Sequence, residues 1–278
     1  MDIQWPLALF SLLAGCGGGM FAFAALAELK GFGGRRRFAV ALAAAIVVVV
    51  GGCASVAHLG NPSNIMAAAA NIGSLSGISV ELIFLGATVV FGVAYAVAVK
   101  REASASVCKA LAVIAGVLGV VLAFVTGNGY VMESQAHWNT PLLPLCYLAS
   151  GLTMGGAVYA ACAVALPDDD EAGQKSSFAL VNRCVLVIAA VQAVLFLVFD
   201  AVNGFAGDAV SFWVCAFAVG GIGTAVCAAF AGKNGKLAYA GAACAVIGGL
   251  GFRCAMWLMG TGFLSLFTTI AARGVLGL

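Results

Sequence analysis

Three ionisable side chains interrupt an otherwise apolar sequence: His58 in SVAHLGNP, Glu81 in GISVELIFLG and Arg253 in GLGFRCAMW. Each stands in, or at the end of, a long hydrophobic run, where a charge is costly and marks a functional site by default. A neutral imidazole and a carboxylate can each accept one proton. Together they suit a reaction in which two protons leave one small molecule. Oxidation of a quinol is such a reaction, because its ring hydroxyls lose two protons as two electrons depart. On this reading Arg253 keeps the carboxylate poised or hydrogen-bonds a ring oxygen. Trp257 follows four residues later on the same helix face and supplies an apolar wall.

The elements that must carry these residues follow from composition. The chain has 278 residues, 63% of them apolar and only 9% charged, with a mean hydropathy of +1.11. Soluble domains carry about 25% charged residues, so a soluble globule, a disordered tail and a nucleic-acid binder are all excluded. A helix crosses the bilayer with roughly 20 apolar residues. Eight such runs lie at about 5–29, 36–59, 79–99, 106–126, 141–165, 178–202, 209–231 and 237–258. Between them stand turn-forming or charged breaks such as GFGGRRR, KREASAS and PDDDEAGQKSS. The expected fold is an all-α integral membrane protein, one eight-helix bundle over residues 1–278. The last stretch, 259–278, is left open between an extension of the eighth span, an interfacial segment and a re-entrant one.

Alternate connections differ sharply in basic charge. Lys30, Arg35, Arg36, Arg37, Lys100, Arg101, Lys109, Lys175, Arg183, Lys233 and Lys236 fall on one side, which is 11 of the 13 Lys and Arg residues. The opposite side holds Arg273, and Arg253 lies within a span. The positive-inside rule then puts both termini outside a bacterial cytoplasmic membrane. It also puts His58, Glu81 and Arg253 at one outer depth, where they can form a single pocket.

The ten cysteines are scattered singletons, most of them inside apolar runs, where Cys acts as a small hydrophobe. Zinc and iron–sulfur clusters need grouped ligands, and none is encoded. The chain has two histidines, His58 and His137, the second in an expected loop, so a bis-histidine haem is not expected either. The pairs Gly15/Gly19 and Gly151/Gly155 have the small-xxx-small spacing that lets helix backbones approach closely.

Taken in order, WPLALF at 5–10, SVAHLGNP at 55–62, the Ser79-Val80-Glu81 start of the third run, Tyr130, HWNTPLLP at 137–144 and the Arg253 segment resemble one family over nearly the whole chain. It is the DmsC family, the membrane-anchor subunit of DMSO-reductase-type molybdoenzymes. The resemblance implies a subunit that is not catalytic by itself. It would bind menaquinol from the membrane pool and pass electrons to a ferredoxin-like iron–sulfur subunit, which serves a molybdopterin catalytic subunit. It also assigns the family's quinol-site histidine to His58 and its acidic partner to Glu81.

A proton- or ion-coupled transporter is the alternative reading. It is disfavoured because ionisable residues crowd one leaflet, while transporters usually bind near the midplane. The outer connections 60–78 and 127–141 carry few basic residues. They offer Ile65, Met66, Tyr130 and Trp138, expected to face the partner subunit, with Asn61-Pro62-Ser63 turning into a short helix over the pocket.

Overall fold

A computed structural model of the chain describes residues 2–32, 34, 36–57, 66, 70, 72–74, 76–167 and 170–260. Among these residues, eight helices are long and apolar enough to span a membrane. They are α1 (Trp5–Leu29), α2 (Arg36–Val56), α3 (Gly77–Lys100), α4 (Ala105–Asn128), α5 (Leu142–Ala165), α6 (Glu171–Val202), α7 (Ala209–Phe230) and α8 (Leu237–Met259). The architecture is all-helical, as the hydrophobic runs predict. His58, Ile65, the 61–63 turn and the 261–278 stretch lie outside the described residues.

Successive spans alternate in direction. Residues 2–4 and Gly260 therefore share one end of the bundle, called here the terminal end. The connections after α1, α3, α5 and α7 carry most of the Lys and Arg and form the basic end.

Helix α1 is the central post, packed on α2, α4 and α5 and mostly buried. Its glycines explain how it fits. A Cβ on Gly19 would run into Gly151 O of α5, with Gly155 Cα 3.1 Å away; a Cβ on Gly18 would run into Gly119 O of α4. Both crossings rest on backbone-to-backbone contact, which glycine alone allows, and packing of this kind drives helix association in lipid. Gly220 of α7 and Gly248 of α8 repeat the device.

Two boundaries depart from the hydropathy reading. Helix α6 begins at Glu171 and not near 178, because the Asp170 side chain caps it by accepting from Ala172 N at 3.1 Å. Its first turns are polar but helical. Helix α7 is wound as a π-helix over Ala209–Gly223 before continuing as α-helix through Thr224–Phe230, a far longer π segment than the usual single turn.

The core divides into two clusters. The larger one fills the body of the bundle and is dominated by Ala, Val and Phe drawn from all eight helices. The smaller one is aromatic and sits at the terminal end, joining Tyr130, Trp138 and Tyr147 to Phe196, Phe199, Phe212, Phe252 and Trp257.

At the basic end a polar network locks the helices together. Glu28 of α1 is buried and takes two charge-assisted bonds from Arg37 of α2, at 2.7 and 2.5 Å, and one from Tyr95 Oη of α3 at 2.9 Å. Beside it, Arg36 Nη1 donates to Gln174 Oε1 of α6 at 2.5 Å. Gln174 Nε2 in turn donates to Ala163 O of α5 at 2.6 Å. The sequence reading passed over Glu28, which pairs with a residue of the next helix across the first connection.

Candidate functional site

Glu81 is the fifth residue of α3, whose start is fixed by Ser76. The Ser76 side chain caps the helix, with its Oγ accepting from Ser79 N at 3.3 Å. This places the Glu81 carboxylate at the terminal end, against Gly129 at the close of α4, where any Cβ would collide with Oε1. Gly129 thus clears the space that the carboxylate occupies. Among the described residues, no hydrogen bond or ion pair engages that carboxylate.

Glu81 faces a cavity of about 570 Å³. Its walls come from four helices and the 129–141 connection: Leu7 and Phe10 of α1, Ser55 of α2, Ile78, Leu82 and Leu85 of α3, Trp257 of α8, and Gly129, Tyr130 and Trp138 of the connection. Apolar and aromatic groups dominate, with a few polar ones, and the volume lies within the range of roughly 300–1,000 Å³ usual for small-molecule sites. Ser55 precedes His58 by three residues in the chain.

The aromatic wall is held in a fixed geometry. Trp257 meets Trp138 edge to face at 5.1 Å between centroids and Tyr130 at 5.7 Å. Trp138 Nε1 donates to Met256 O at 2.8 Å, and Tyr130 Oη reaches Leu7 O at 3.5 Å. Burial pushes the Tyr130 phenol well above its ordinary pKa, so it stays a neutral hydroxyl.

Three side chains lie deeper than the sequence leads one to expect. Tyr130 and Trp138, expected to face a partner, are 9% and 2% exposed and turn inward as walls of the cavity. The connection folds back over the helix ends because burying two large rings there gains more than exposing them. Met66, by contrast, is exposed. Arg253 does not line the cavity. It is fully buried, with Nε donating to Ser11 Oγ at 2.9 Å, Nη1 to Gly249 O at 2.8 Å and to Ser150 Oγ at 3.3 Å, and Nη2 to Ser11 O at 2.9 Å.

The Arg253 guanidinium also lies 4.6 Å over the Tyr147 ring, which packs on Tyr130 at 5.7 Å and on Phe252 at 5.9 Å. Arg253 is therefore one ring behind the wall, tying α8 to α1 and α5. Of the residues expected at the pocket, the structure brings Glu81 and Trp257 to one cavity and sets Arg253 behind it. Ser11, Ser150 and Tyr147, which no motif marked, are the partners that hold that buried cation. His137, as expected, lies in a connection, its Nδ1 3.2 Å from Asn203 Oδ1. Among the described residues, no group of three or more His, Cys, Asp or Glu side chains converges as a metal site.

A bundle of eight apolar helices, with a carboxylate-bearing aromatic cavity at one end among the described residues, defines a multi-pass membrane protein. Residues 1–205 match the family model of the DMSO reductase anchor subunit (DmsC), and the chain belongs to that family. It is thus a membrane-anchor subunit of the DMSO-reductase type, a non-catalytic component of an oxidoreductase complex. The match ends after α6, so α7, α8 and with them Arg253 and Trp257 lie beyond it. No curated protein matches the chain.

Proposed function

We propose that this anchor binds menaquinol in the Glu81 cavity, oxidises it, and passes both electrons to an iron–sulfur subunit that feeds a molybdopterin catalytic subunit. The observation that carries the reading is a single carboxylate, with no partner among the described residues, on the wall of an aromatic cavity at one end of a membrane bundle of this family. Quinol oxidation releases two protons and two electrons. Glu81 accepts the proton of one ring hydroxyl, and His58, near the end of α2 in sequence, accepts the other. The electrons leave to the partner's clusters, since this chain encodes no clustered ligands of its own.

The aromatic walls keep the ring dry and oriented. The charge count supports a terminal end outside a bacterial cytoplasmic membrane, and on this reading the partner docks there, over the connections 60–78 and 127–141.

Exchange of Glu81 for Gln keeps the shape and removes the proton acceptor. Quinol-dependent turnover of the purified complex is expected to fall about 100-fold or more, the usual contribution of a general base. Turnover driven by an artificial dye that reduces the partner directly should be unchanged. His58→Ala should behave the same way. Quinol-dependent rates near wild type in both variants would overturn the proposal.

A further inference from the structure

A glycine at the end of a helix usually has one of two reasons to be there. Either the backbone turns into the left-handed region that other residues avoid, or a neighbouring backbone lies too close for any side chain. Neither holds at Gly129, which closes α4. Its φ of −60° and ψ of −19° are helical values that alanine adopts without strain. The group that a Cβ there would strike is the end of the Glu81 side chain, Oε1 first and then Cδ at 3.3 Å. Among the described residues, and apart from its chain neighbours, the next nearest atom is Val125 O at 3.8 Å, which is ordinary contact. What the missing side chain makes room for is the carboxylate. Gly77, which also lines the cavity, has open space where its Cβ would stand.

We infer that Gly129 is a positioning residue for the proton acceptor of the cavity. Among the described residues no hydrogen bond or ion pair holds the Glu81 carboxylate, so the shape of the wall at 129 decides where it rests. With no side chain there, the carboxylate lies against the end of α4. A methyl at 129 drives it off that seat by about 1 Å, the retreat that restores ordinary contact.

The inference deepens the quinol reading and rests on it. A proton passes from a ring hydroxyl to a carboxylate only within hydrogen-bond reach, and a misplacement of about 1 Å can cost about 100-fold in rate. Gly129 therefore acts on the reaction through Glu81. The methyl meets the far end of a flexible side chain and no backbone, so the carboxylate yields while the helices stay in place.

The test is a double-mutant cycle in the full complex, purified with its partner subunits in mild detergent and supplied with 2,3-dimethyl-1,4-naphthoquinol. Gly129→Ala should lower the quinol-dependent kcat/KM about 10- to 100-fold, while dye-driven turnover and Tm keep their wild-type values. Glu81→Asp shortens the side chain by one methylene and withdraws the carboxylate from position 129; Glu81→Gln leaves no acceptor to misplace. In either background Gly129→Ala should change the remaining rate by less than about twofold. An unchanged rate in Gly129→Ala beside a strongly impaired Glu81→Gln would overturn the inference. So would an equal loss in all three backgrounds, which would mean that the methyl acts on the cavity and not on the carboxylate, or a lowered Tm, which would mark a packing glycine. A Glu81→Gln variant as active as wild type would instead overturn the quinol reading beneath it.

Discussion

The two glycines of the first small-xxx-small pair occupy the same face of α1, one turn apart, yet they should respond very differently to an added methyl. At Gly15 a Cβ would find Arg253 Nη2 and Gly151 Cα, both at 3.4 Å, which is ordinary contact. At Gly19 it would overlap Gly151 O, with Gly151 C at 3.0 Å and Gly155 Cα at 3.1 Å. The obstacle there is backbone, so no rotamer change relieves it, and α1 and α5 must part by on the order of 1 Å.

Overpacking of this kind costs about 1–3 kcal/mol. Parting the same two helices also strains the bonds of Arg253, which reach Ser11 on α1 and Ser150 on α5. A hydrogen bond to a charged group is worth about 1.5–3 kcal/mol, so the loss for Gly19→Ala should total about 2.5–6 kcal/mol. At about 2–4 °C per kcal/mol, Tm falls by roughly 5–24 °C. Gly15→Ala should stay within about 0.5 kcal/mol, as substitutions without a clash do. Thermal scans of the two variants in mild detergent decide the matter. Equal losses, or a stable Gly19→Ala beside a damaged Gly15→Ala, would refute the backbone-contact reasoning.

Other outcomes follow from the same geometry. Arg37→Met leaves the Glu28 carboxylate buried without its cation and should cost about 3–5 kcal/mol, read as a lower Tm, while the KM for quinol stays put because the network lies at the far end of the bundle. Tyr95→Phe removes one bond from that carboxylate and should cost about 1 kcal/mol, again with no change in KM. Arg253→Lys should destabilise nearly as much as Arg253→Met, since one ammonium cannot reproduce the forked contacts to Ser11, Ser150 and Gly249. In a background with the native cysteines replaced, Cys introduced at the exposed positions Arg101 and Lys233 should react with an impermeant maleimide only from the cytoplasmic side.

Hydropathy revealed the spans because lipid imposes a simple length and polarity rule on every helix that crosses it. The rule says nothing about helix outside the bilayer, so the polar first turns of α6, capped by Asp170, were invisible to it. It was equally blind to the π winding of α7, which changes hydrogen-bond register without changing composition. At the site, Glu81 and Trp257 stood out in sequence as polar or amphipathic groups in apolar runs. The partners of Arg253 did not, because Ser11 lies 242 residues away and a serine in a helix carries no signal of what it will bind. The inward packing of Tyr130 and Trp138 was illegible for a related reason. An aromatic residue in a membrane-edge connection has the same composition whether the connection projects outward or folds back, and only packing decides.

The extent of the family match bears on what the last two helices do. Six helices lie within residues 1–205 and supply Glu81, Tyr130 and Trp138. Taken alone, they would leave the cavity without Trp257 and leave Ser11 and Ser150 without the guanidinium that joins them. Helix α8 fills both gaps from one face, with Arg253 anchoring it to α1 and α5 and Trp257 reaching the cavity one turn further on. The buried charge is expensive at this depth, and a scaffold that only had to pack could use leucine there instead. Its four hydrogen bonds converge on α1, α5 and α8 itself, which fixes the rotation of α8 about its axis and hence the direction in which the Trp257 ring points. Arg253 therefore acts on the cavity through the helix that carries it, which is why its removal should loosen the site without touching anything bound there.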